Sequence, residues 1–327
     1  MSVNTTKIKK GRMILIDGMS GAGKSTTAQK LARQLAFHYI PHRWMHEEIA
    51  AHPIRDGEFT MGDTKTLEGM EINVREMLKR WQNLTDTIVK SGQLYVIEGC
   101  FLQSIPRYFA GSTYTAEQTI DFCSRVSEIL TNADTLFAYL RSPNAKATHE
   151  HVYPIRGQWW KDLILTPDEK FFHITEFNDD ETIYETLNLY REISDKVFTD
   201  YTGDKLMIDA PVGSWQDHPR KILEHIGLPY IDVPSLDIKN PDKFCGKYGA
   251  VIDGEISEIE IKYDTTRKTL FAVGFWPYMK LTPISYNAFE TESFPIVFSF
   301  TKNENKRAVT VTGEYDWNIV GNTLKIV

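Results

Sequence analysis

A glycine-rich stretch near the start of the chain has the residue types and spacing of a phosphate-binding loop. Residues 18–25 read GMSGAGKS and match the pattern GxxxxGK[ST]. The glycines of this pattern let backbone N–H groups surround an anion, the lysine reaches the terminal phosphates, and the last hydroxyl can bind Mg²⁺. The residues predicted to contact a nucleotide and its metal are Gly18, Ser20, Gly21, Ala22, Gly23, Lys24, Ser25 and Thr26.

The elements on either side of this loop fit the same interpretation. Residues 12–18, RMILIDG, are typical of a short buried strand, and Ala28, Leu31 and Leu35 fall on one face of a helix that follows Lys24. A helix that begins at the loop adds its positive N-terminal end to an anion site. The order of strand, glycine-rich turn and helix therefore favours a phosphate site over an ordinary turn.

Strands and helices alternate through about the first 230 residues. The segments PHRWMHEE, QLYVIEG, ADTLFAYLRS and GDKLMIDA are typical of strands, and amphipathic helical patterns precede the last two at 116–130 and 182–201. This alternation predicts an α/β domain in which helices cover both faces of a parallel sheet.

The stretch GKSTTAQKLARQL resembles the P-loop kinases of nucleosides, nucleotides and other small metabolites, the group of thymidylate kinase and deoxynucleoside kinase. The likeness covers about the first 230 residues and rests on short motifs. EGCFLQ, together with the earlier EE and HP, is closest to bacterial P-loop proteins described as thymidylate-kinase-like. The resemblance implies ATP and Mg²⁺ as cofactors and a small molecule as the phosphate acceptor.

Two carboxylates match roles that this group assigns. There, a carboxylate just after the second strand often activates the acceptor hydroxyl, and another ends the third strand near Mg²⁺. WMHEEIAAHP offers Glu47 or Glu48 for the first role, and YVIEGCFLQ offers Glu98 for the second. Both would lie at the carboxyl ends of parallel strands, where ligands collect. A solvated helix start is the alternative for Glu47 and Glu48, whereas a carboxylate that closes an apolar strand needs a partner.

The chain departs from the group's pattern directly after the third strand. Deoxynucleoside and thymidylate kinases usually have an arginine there, but Gly99 and Cys100 follow Glu98. The next basic residue downstream is Arg107. In the alternative of a nucleotide kinase, Arg107 and Arg55 are the residues that could compensate for this arginine by clamping the acceptor phosphate. A nucleoside acceptor is therefore not implied by the motifs.

A basic lid is the third feature that the resemblance implies. The candidate is LRSPNAKATHEHVYPIRGQWWKD, expected as a loop after the fourth strand, in which Arg141, Arg156 or Lys161 could offset charge on the transferring phosphoryl group. Arg156 is preferred because it would lie mid-loop. For Arg141, a structural salt bridge is an equal alternative.

Other side chains could line the acceptor pocket. His52 precedes a proline, so a turn-forming role competes with substrate binding. Arg191 could reach the site from a helix, and a surface ion pair is its alternative. The substrate-binding candidates are Glu48, His52, Arg107, Arg141 and Arg191.

The character of the sequence changes after Leu228. A proline-containing stretch without clear periodicity predicts a linker, and β-rich runs separated by turn-forming residues follow it. Alternating Ile296, Phe298 and Phe300 predict a small antiparallel barrel or sandwich. The predicted divisions are a flexible tail at 1–10, a P-loop kinase-like domain at 11–230, a linker at 231–243 and an accessory all-β domain at 244–327.

Composition argues against several other classes of protein. The formal net charge of −7 disfavours a mainly nucleic-acid-binding surface. Three widely spaced cysteines without a CxxC pair predict neither a disulfide framework nor a zinc site. No signal peptide or membrane span is predicted either. We therefore expect a cytoplasmic protein that binds a small molecule but neither nucleic acid nor membrane, and homodimerisation stays open.

The predicted activity is an ATP- and Mg²⁺-dependent phosphotransferase that acts on a hydroxyl of a nucleoside-like metabolite or a natural-product antibiotic. ATP is preferred because no guanine-reading motif such as NKxD occurs. Lys24, Glu47, Glu98 and Arg156 are the catalytic candidates, with Ser25 and Glu98 at the metal. Two alternatives stay open: a nucleoside monophosphate kinase, whose acceptor phosphate needs arginine clamping, and a regulatory P-loop NTPase whose β domain binds a partner.

Overall fold

The computed structural model describes residues 11–55, 62–164, 180–274, 276–303, 306–315 and 317–326, and the predicted tail at 1–10 lies outside these ranges. The chain divides into two compact units. The first comprises Met1–Glu47, Ala51–His151 and Asp162–Ile231, and the second comprises Glu48–Ala50, Val152–Lys161 and Asp232–Val327. Two short segments thus group with the C-terminal unit, although the sequence assigns them to the first.

A parallel five-stranded sheet forms the centre of the first unit, as the sequence predicts. Its strand order is β2-β3-β1-β4-β5, and Ile14 of the central strand lies opposite Val96 on one side and Leu136 on the other. The strands are β1 (Met13–Asp17), β2 (His42–Met45), β3 (Leu94–Glu98), β4 (Leu136–Arg141) and β5 (Lys205–Asp209).

The described helices are α1 (Lys24–Phe37), α2 (Leu67–Ser91), α3 (Ile105–Ala110), α4 (Ala116–Thr131), α5 (Ala145–Arg156), α6 (Gln158–Ile164), α7 (Asp180–Asp200) and α8 (His218–His225). The helices predicted after Lys24, at 116–130 and at 182–201 correspond to α1, α4 and α7, whereas α3, α8 and the helices of the lid candidate have no predicted counterpart.

The lid candidate is helical, although the sequence predicts a loop there. The side chain of Asn144 accepts a hydrogen bond from the N–H of Ala147 at 3.0 Å, which satisfies a free donor at the start of α5. Pro154 lies inside the same helix. A proline at an interior position usually kinks or ends a helix, so its presence in the sequence favours a loop here. Arg156 therefore ends a helix and does not lie in the middle of a loop.

Helices cover both faces of the sheet, because its three central strands, β1, β3 and β4, are buried on both sides. Ile14 and Ile16 share a buried cluster with residues of α1 and α8. Successive residues of a strand point to opposite faces, and Phe137, which pairs with Leu15, packs on the other side. There its ring lies 5.4 Å from the ring of Phe198 on α7.

The second unit contains a closed antiparallel barrel, so the barrel is the observed form of the two all-β architectures that the sequence predicts. The barrel order is β10-β11-β12-β13-β6-β7-β8-β9. Ile296, Phe298 and Phe300 are buried in its core, as their alternation predicts. The strands are β6 (Gly246–Ile252), β7 (Glu255–Asp264), β8 (Thr269–Val273), β9 (Met279–Pro283), β10 (Ala288–Thr291), β11 (Ile296–Asn303), β12 (Lys306–Gly313) and β13 (Thr323–Ile326).

None of the helices in the described ranges combines the length and the apolar character that a bilayer crossing requires.

Candidate active site

The predicted phosphate loop joins β1 to the start of α1. Gly23 has a φ of 88° and precedes the first helical residue, a backbone conformation that favours glycine. A Cβ at this position would also overlap the indole of Trp215. Lys24 is buried, and its Nζ donates to the backbone oxygen of Met19 at 3.1 Å. The lysine therefore lies along the loop that its charge would serve.

Asp17 is a buried carboxylate directly before the loop, and it is not among the predicted site residues. Its Oδ1 accepts the N–H groups of Gly18 at 2.7 Å and Gln103 at 3.0 Å, and its Oδ2 accepts that of Phe101 at 2.7 Å. Burial raises the pKa of Asp17 to about 6, against the lowering effect of Lys24. Asp17 thus joins the start of the phosphate loop to the segment after β3.

Ser25 and Glu98 meet at the carboxyl ends of β1 and β3, as their predicted metal roles require. The Ser25 hydroxyl donates to Glu98 Oε2 at 3.2 Å. Glu98 is fully buried, and burial followed by the charge of Glu47 raises its pKa above the usual range, while Lys24 acts in the opposite direction. A hydroxyl beside a buried carboxylate is a set of oxygen ligands suited to Mg²⁺, and the Nε2 of His46 lies 3.5 Å from Oε1 of the same carboxylate.

The described ranges contain no group of three or more acidic, histidine or cysteine side chains placed to hold a metal ion. That result fits the way in which Mg²⁺ binds at phosphate-transfer sites. There it takes one or two protein oxygens and completes its coordination with water and substrate phosphates. Ser25 and Glu98 offer a hydroxyl and a carboxylate oxygen of this kind, and their metal role stays a prediction.

Glu47, not Glu48, lies beside Glu98. The backbone N–H of Glu47 donates to Glu98 Oε1 at 3.3 Å. Its own Oε2 accepts from Arg55 Nη1 at 2.9 Å and from Gln103 Nε2. Glu48 is exposed, and its segment belongs to the second unit. Of the two glutamates that the sequence offers as the base, the structure brings Glu47 to the site.

Gly99 gives a physical reason for the missing arginine after β3. Its φ is 71°, and a Cβ at this position would lie 2.7 Å from Glu47 Oε2 and 3.3 Å from Lys24 Cε. Any side chain here would push against the carboxylate and the lysine. The position is occupied by glycine because Glu47 approaches the backbone closely.

His52 shapes the turn that carries Arg55. Its Nδ1 accepts the N–H groups of Ile54 at 3.1 Å and of Arg55 at 3.2 Å. Burial and then the charge of Arg55 lower the pKa of His52 to about 4, so the ring is neutral near pH 7 and its Nδ1 can accept. The turn-forming alternative for His52 thus has direct hydrogen bonds, and no described residue bonds its buried Nε2.

Two of the other predicted basic residues, Arg141 and Arg191, have protein partners of their own. Arg141 makes three hydrogen bonds of 3.0 Å to the carboxylate of Asp195, which is the salt bridge that the sequence offers as an alternative. Arg191 donates to the backbone oxygen of Pro143 at 3.0 Å. Arg107 lies on α3, and its side chain is outside the described part of the structure.

Arg156 belongs to the second unit. Its guanidinium carbon lies 4.6 Å from the ring centre of Trp160 and also 4.6 Å from that of Trp276, between β8 and β9. This geometry gives two cation–π contacts. The phosphoryl-stabilising role of Arg156 stays a prediction.

Sequence reasoning assigns no site role to Asp17, Gln103 and Trp215. For Asp17 a signal exists, because MILID ends an apolar strand with a carboxylate, as LYVIE does. Gln103 and Trp215 have no such signal, since each reaches the site from a segment without periodicity. The Trp215 indole lies against Gly23 and 5.1 Å from the ring of His151.

Comparison with known proteins finds kinases, over limited parts of the chain. No family model matches. A cytidylate kinase of Desulfitobacterium hafniense (strain Y51) is 48% identical over 48 residues, which are 15% of this chain and 21% of that protein. The chain therefore spans about a fifth of the length of this relative. The crystal structure of thymidylate kinase from Ehrlichia chaffeensis aligns with a TM-score of 0.38 and 10% identity, over 66% of this chain and 97% of that one.

Proposed function

We propose that the protein is an ATP- and Mg²⁺-dependent phosphotransferase that phosphorylates a hydroxyl group of a small molecule. The observation that carries the proposal is the position of Glu47, whose backbone N–H bonds Glu98 while its side chain lies beside Gly99 and close to Lys24. A carboxylate so close to a phosphate loop and a metal-type hydroxyl–carboxylate pair is suited to orient an acceptor hydroxyl and take up its proton.

The chemistry assigns a separate task to each residue. The acceptor hydroxyl loses its proton to Glu47, its oxygen bonds to the γ-phosphorus of ATP, and the bond from that phosphorus to the β–γ bridging oxygen breaks, which releases ADP. Lys24 and the loop N–H groups neutralise charge on the phosphates. Ser25 and Glu98 would hold Mg²⁺, which supplies further charge neutralisation when bound.

The charges near Glu47 support a hydroxyl acceptor over a phosphate acceptor. A nucleotide kinase needs arginines that clamp the acceptor phosphate. Arg55 is paired with Glu47 and Arg141 with Asp195. A second phosphate close to the Glu47 and Glu98 carboxylates would be repelled by both. A nucleoside-like metabolite or a natural-product antibiotic therefore remains the preferred acceptor.

The test is product analysis with Mg-ATP and pooled nucleosides, nucleoside monophosphates, sugars and antibiotics. Phosphorus NMR and mass spectrometry would identify any new phosphate ester. We expect an ester from the wild-type protein, almost none from Lys24→Ala or Glu47→Gln, and a normal yield from Glu128→Gln, which removes an exposed carboxylate on α4.

The other outcomes select the alternatives. A new phosphoanhydride formed only with monophosphates would indicate a nucleotide kinase, the activity named for the short cytidylate kinase match. ADP and free phosphate without any new product, unchanged in Glu47→Gln, would indicate a regulatory NTPase and overturn the proposal.

A further inference from the structure

We propose that Arg55 is the positioning residue for the catalytic base, an inference that rests on the proposed function. Arg55 holds Glu47 by Oε2 and so presents Oε1 as the oxygen that takes the proton of the acceptor hydroxyl.

The two oxygens of Glu47 have different surroundings. Oε2 accepts from Arg55 Nη1 at 2.9 Å and from Gln103 Nε2, whereas Oε1 has no hydrogen-bond partner among the described residues. The Glu47 side chain is 12% exposed. One oxygen is therefore anchored, and within the part of the chain that the structure describes the other is left to accept from a substrate.

The two residues that bond Glu47 Oε2, Arg55 and Gln103, are themselves held through their backbone N–H groups. Gln103 is held through its N–H by Asp17 Oδ1 at 3.0 Å. Arg55 belongs to a turn in which the N–H groups of Ile54 and Arg55 donate to the buried Nδ1 of His52. Holding a reacting group in one geometry can contribute a large part of a rate acceleration, and a misplacement of about 1 Å can cost about a hundredfold.

Gly99 provides the space that the Glu47 carboxylate needs in this arrangement. Its missing side chain leaves the space that Glu47 Oε2 occupies, so an arginine at 99 and the observed position of Glu47 exclude each other. Arg55 approaches the same oxygen from the segment between β2 and α2. The cation is thus supplied from another part of the chain.

The experiment compares Arg55→Gln, Arg55→Ala and Arg55→Lys with the wild-type protein, using the acceptor that forms an ester. Arg75→Gln is the matched control, because Arg75 is an exposed arginine on α2. We expect kcat to fall about ten- to a hundredfold in Arg55→Gln with little change in the KM for ATP. Arg55→Lys should recover part of the loss, and Arg75→Gln should behave as wild type.

A chemical rescue distinguishes positioning from loss of structure. Guanidinium chloride, far below the concentrations that unfold the protein, should raise kcat of Arg55→Ala, while equal sodium chloride should not. In a second pair, His52→Ala should lower kcat in the same way, whereas His52→Asn should retain more activity because its Oδ1 can accept near the position of Nδ1.

Each result decides a different claim. Wild-type ester formation with unchanged kcat in Arg55→Gln, or a loss that guanidinium does not rescue, would overturn the role of Arg55 alone. Absence of any ester from the wild-type protein would overturn the proposed function and this inference with it.

Discussion

Asp17 connects two parts of the site through backbone hydrogen bonds. It lies at the end of β1, is fully buried, and accepts N–H groups from Gly18 on one side and from Phe101 and Gln103 on the other. Asparagine could fill the same space but has one oxygen, so at least one of these N–H groups would lose its acceptor. A buried N–H without a partner costs about 1–3 kcal/mol.

The pH dependence of unfolding should reveal Asp17. Because burial raises its pKa to about 6, the folded protein holds this proton more tightly than the unfolded chain. The stability linked to Asp17 is complete below the ordinary carboxylate pKa and is lost as pH rises to about 6. The free energy of unfolding of the wild-type protein, minus that of Asp17→Asn, should therefore fall by about 2–3 kcal/mol between about pH 4 and pH 7.

Urea denaturation across this range measures the difference. Asp121→Asn, an exposed change on α4, controls for the loss of an ordinary carboxylate. A difference that is constant or grows with rising pH would contradict the assigned direction.

Gly99→Ala tests whether the close approach of Glu47 matters for catalysis. The new Cβ would lie 2.7 Å from Glu47 Oε2, so the carboxylate must move, and we expect kcat to fall at least about tenfold. Gly92→Ala is the matched control, because Gly92 also has a positive φ, 64°, but a Cβ there would meet no atom within 4 Å. Backbone strain should cost both variants about 1–2 kcal/mol of stability, and the contact with Glu47 adds a further loss in Gly99→Ala only. Equal kcat values for the two variants would contradict the prediction.

At the scale of residues, the sequence predicts the members of the site better than their pairings. A P-loop motif and a strand-ending carboxylate are both local signals, and they single out Ser25 and Glu98, which meet in the structure. The metal role of the pair stays a prediction. The contact of Arg55 with Glu47 spans eight positions and lies in a segment without helical or strand periodicity. No spacing rule could reveal it, and the choice between Glu47 and Glu48 depends on the same segment.

At the scale of elements, the loop between β5 and α8 is the part of the site that the sequence leaves without a signal. Ser214 in this loop bonds His218 Nε2 at 3.0 Å, and His218 Nδ1 lies 3.4 Å from Thr27 Oγ1 on α1. These contacts join the loop to the helix that begins at the phosphate loop. Trp215 lies in the chain between Ser214 and His218, the two residues that make these contacts.

Trp215 should therefore report nucleotide binding. Its indole lies against Gly23, so filling of the phosphate loop should change its surroundings. We expect Mg-ATP to alter the tryptophan fluorescence of the wild-type protein, and Trp215→Phe to lose most of that change. Trp317→Phe, which alters a tryptophan of the barrel unit, should keep it. The same signal in both variants would contradict the assignment.

The whole molecule combines a unit that the sequence predicts well with one that it predicts in part. Five of the eight barrel strands have clear β-rich runs, whereas β6, β9 and β10 do not. β6 contains two glycines, β9 ends in Pro283, and β10 has four residues. Glycine and proline weaken a strand signal. These strands form because a closed barrel pairs every edge: β9 and β10 connect β8 with β11, and β6 connects β13 with β7.

Two distant segments of the chain come together in the second unit. Residues 152–161 come from the middle of the chain, yet they group with the C-terminal barrel. Arg156, between Trp160 and Trp276 at 4.6 Å from each ring centre, makes a contact that bridges more than a hundred residues of sequence. Because cation–π contacts contribute about 0.5–2 kcal/mol, Arg156→Met and Trp276→Leu should show coupled losses in the free energy of unfolding.

A double-mutant cycle measures that coupling, with urea unfolding followed by circular dichroism. We expect the double variant to be more stable than the sum of the single losses implies, by about 0.5–1.5 kcal/mol. The control cycle pairs Arg156→Met with Tyr263→Phe, which keeps a ring packed against the barrel core, and its losses should add. Additive losses in the Trp276 cycle would mean that Arg156 does not join the mid-chain segment to the barrel, because removing a contact that contributes to stability must leave its two partners energetically coupled.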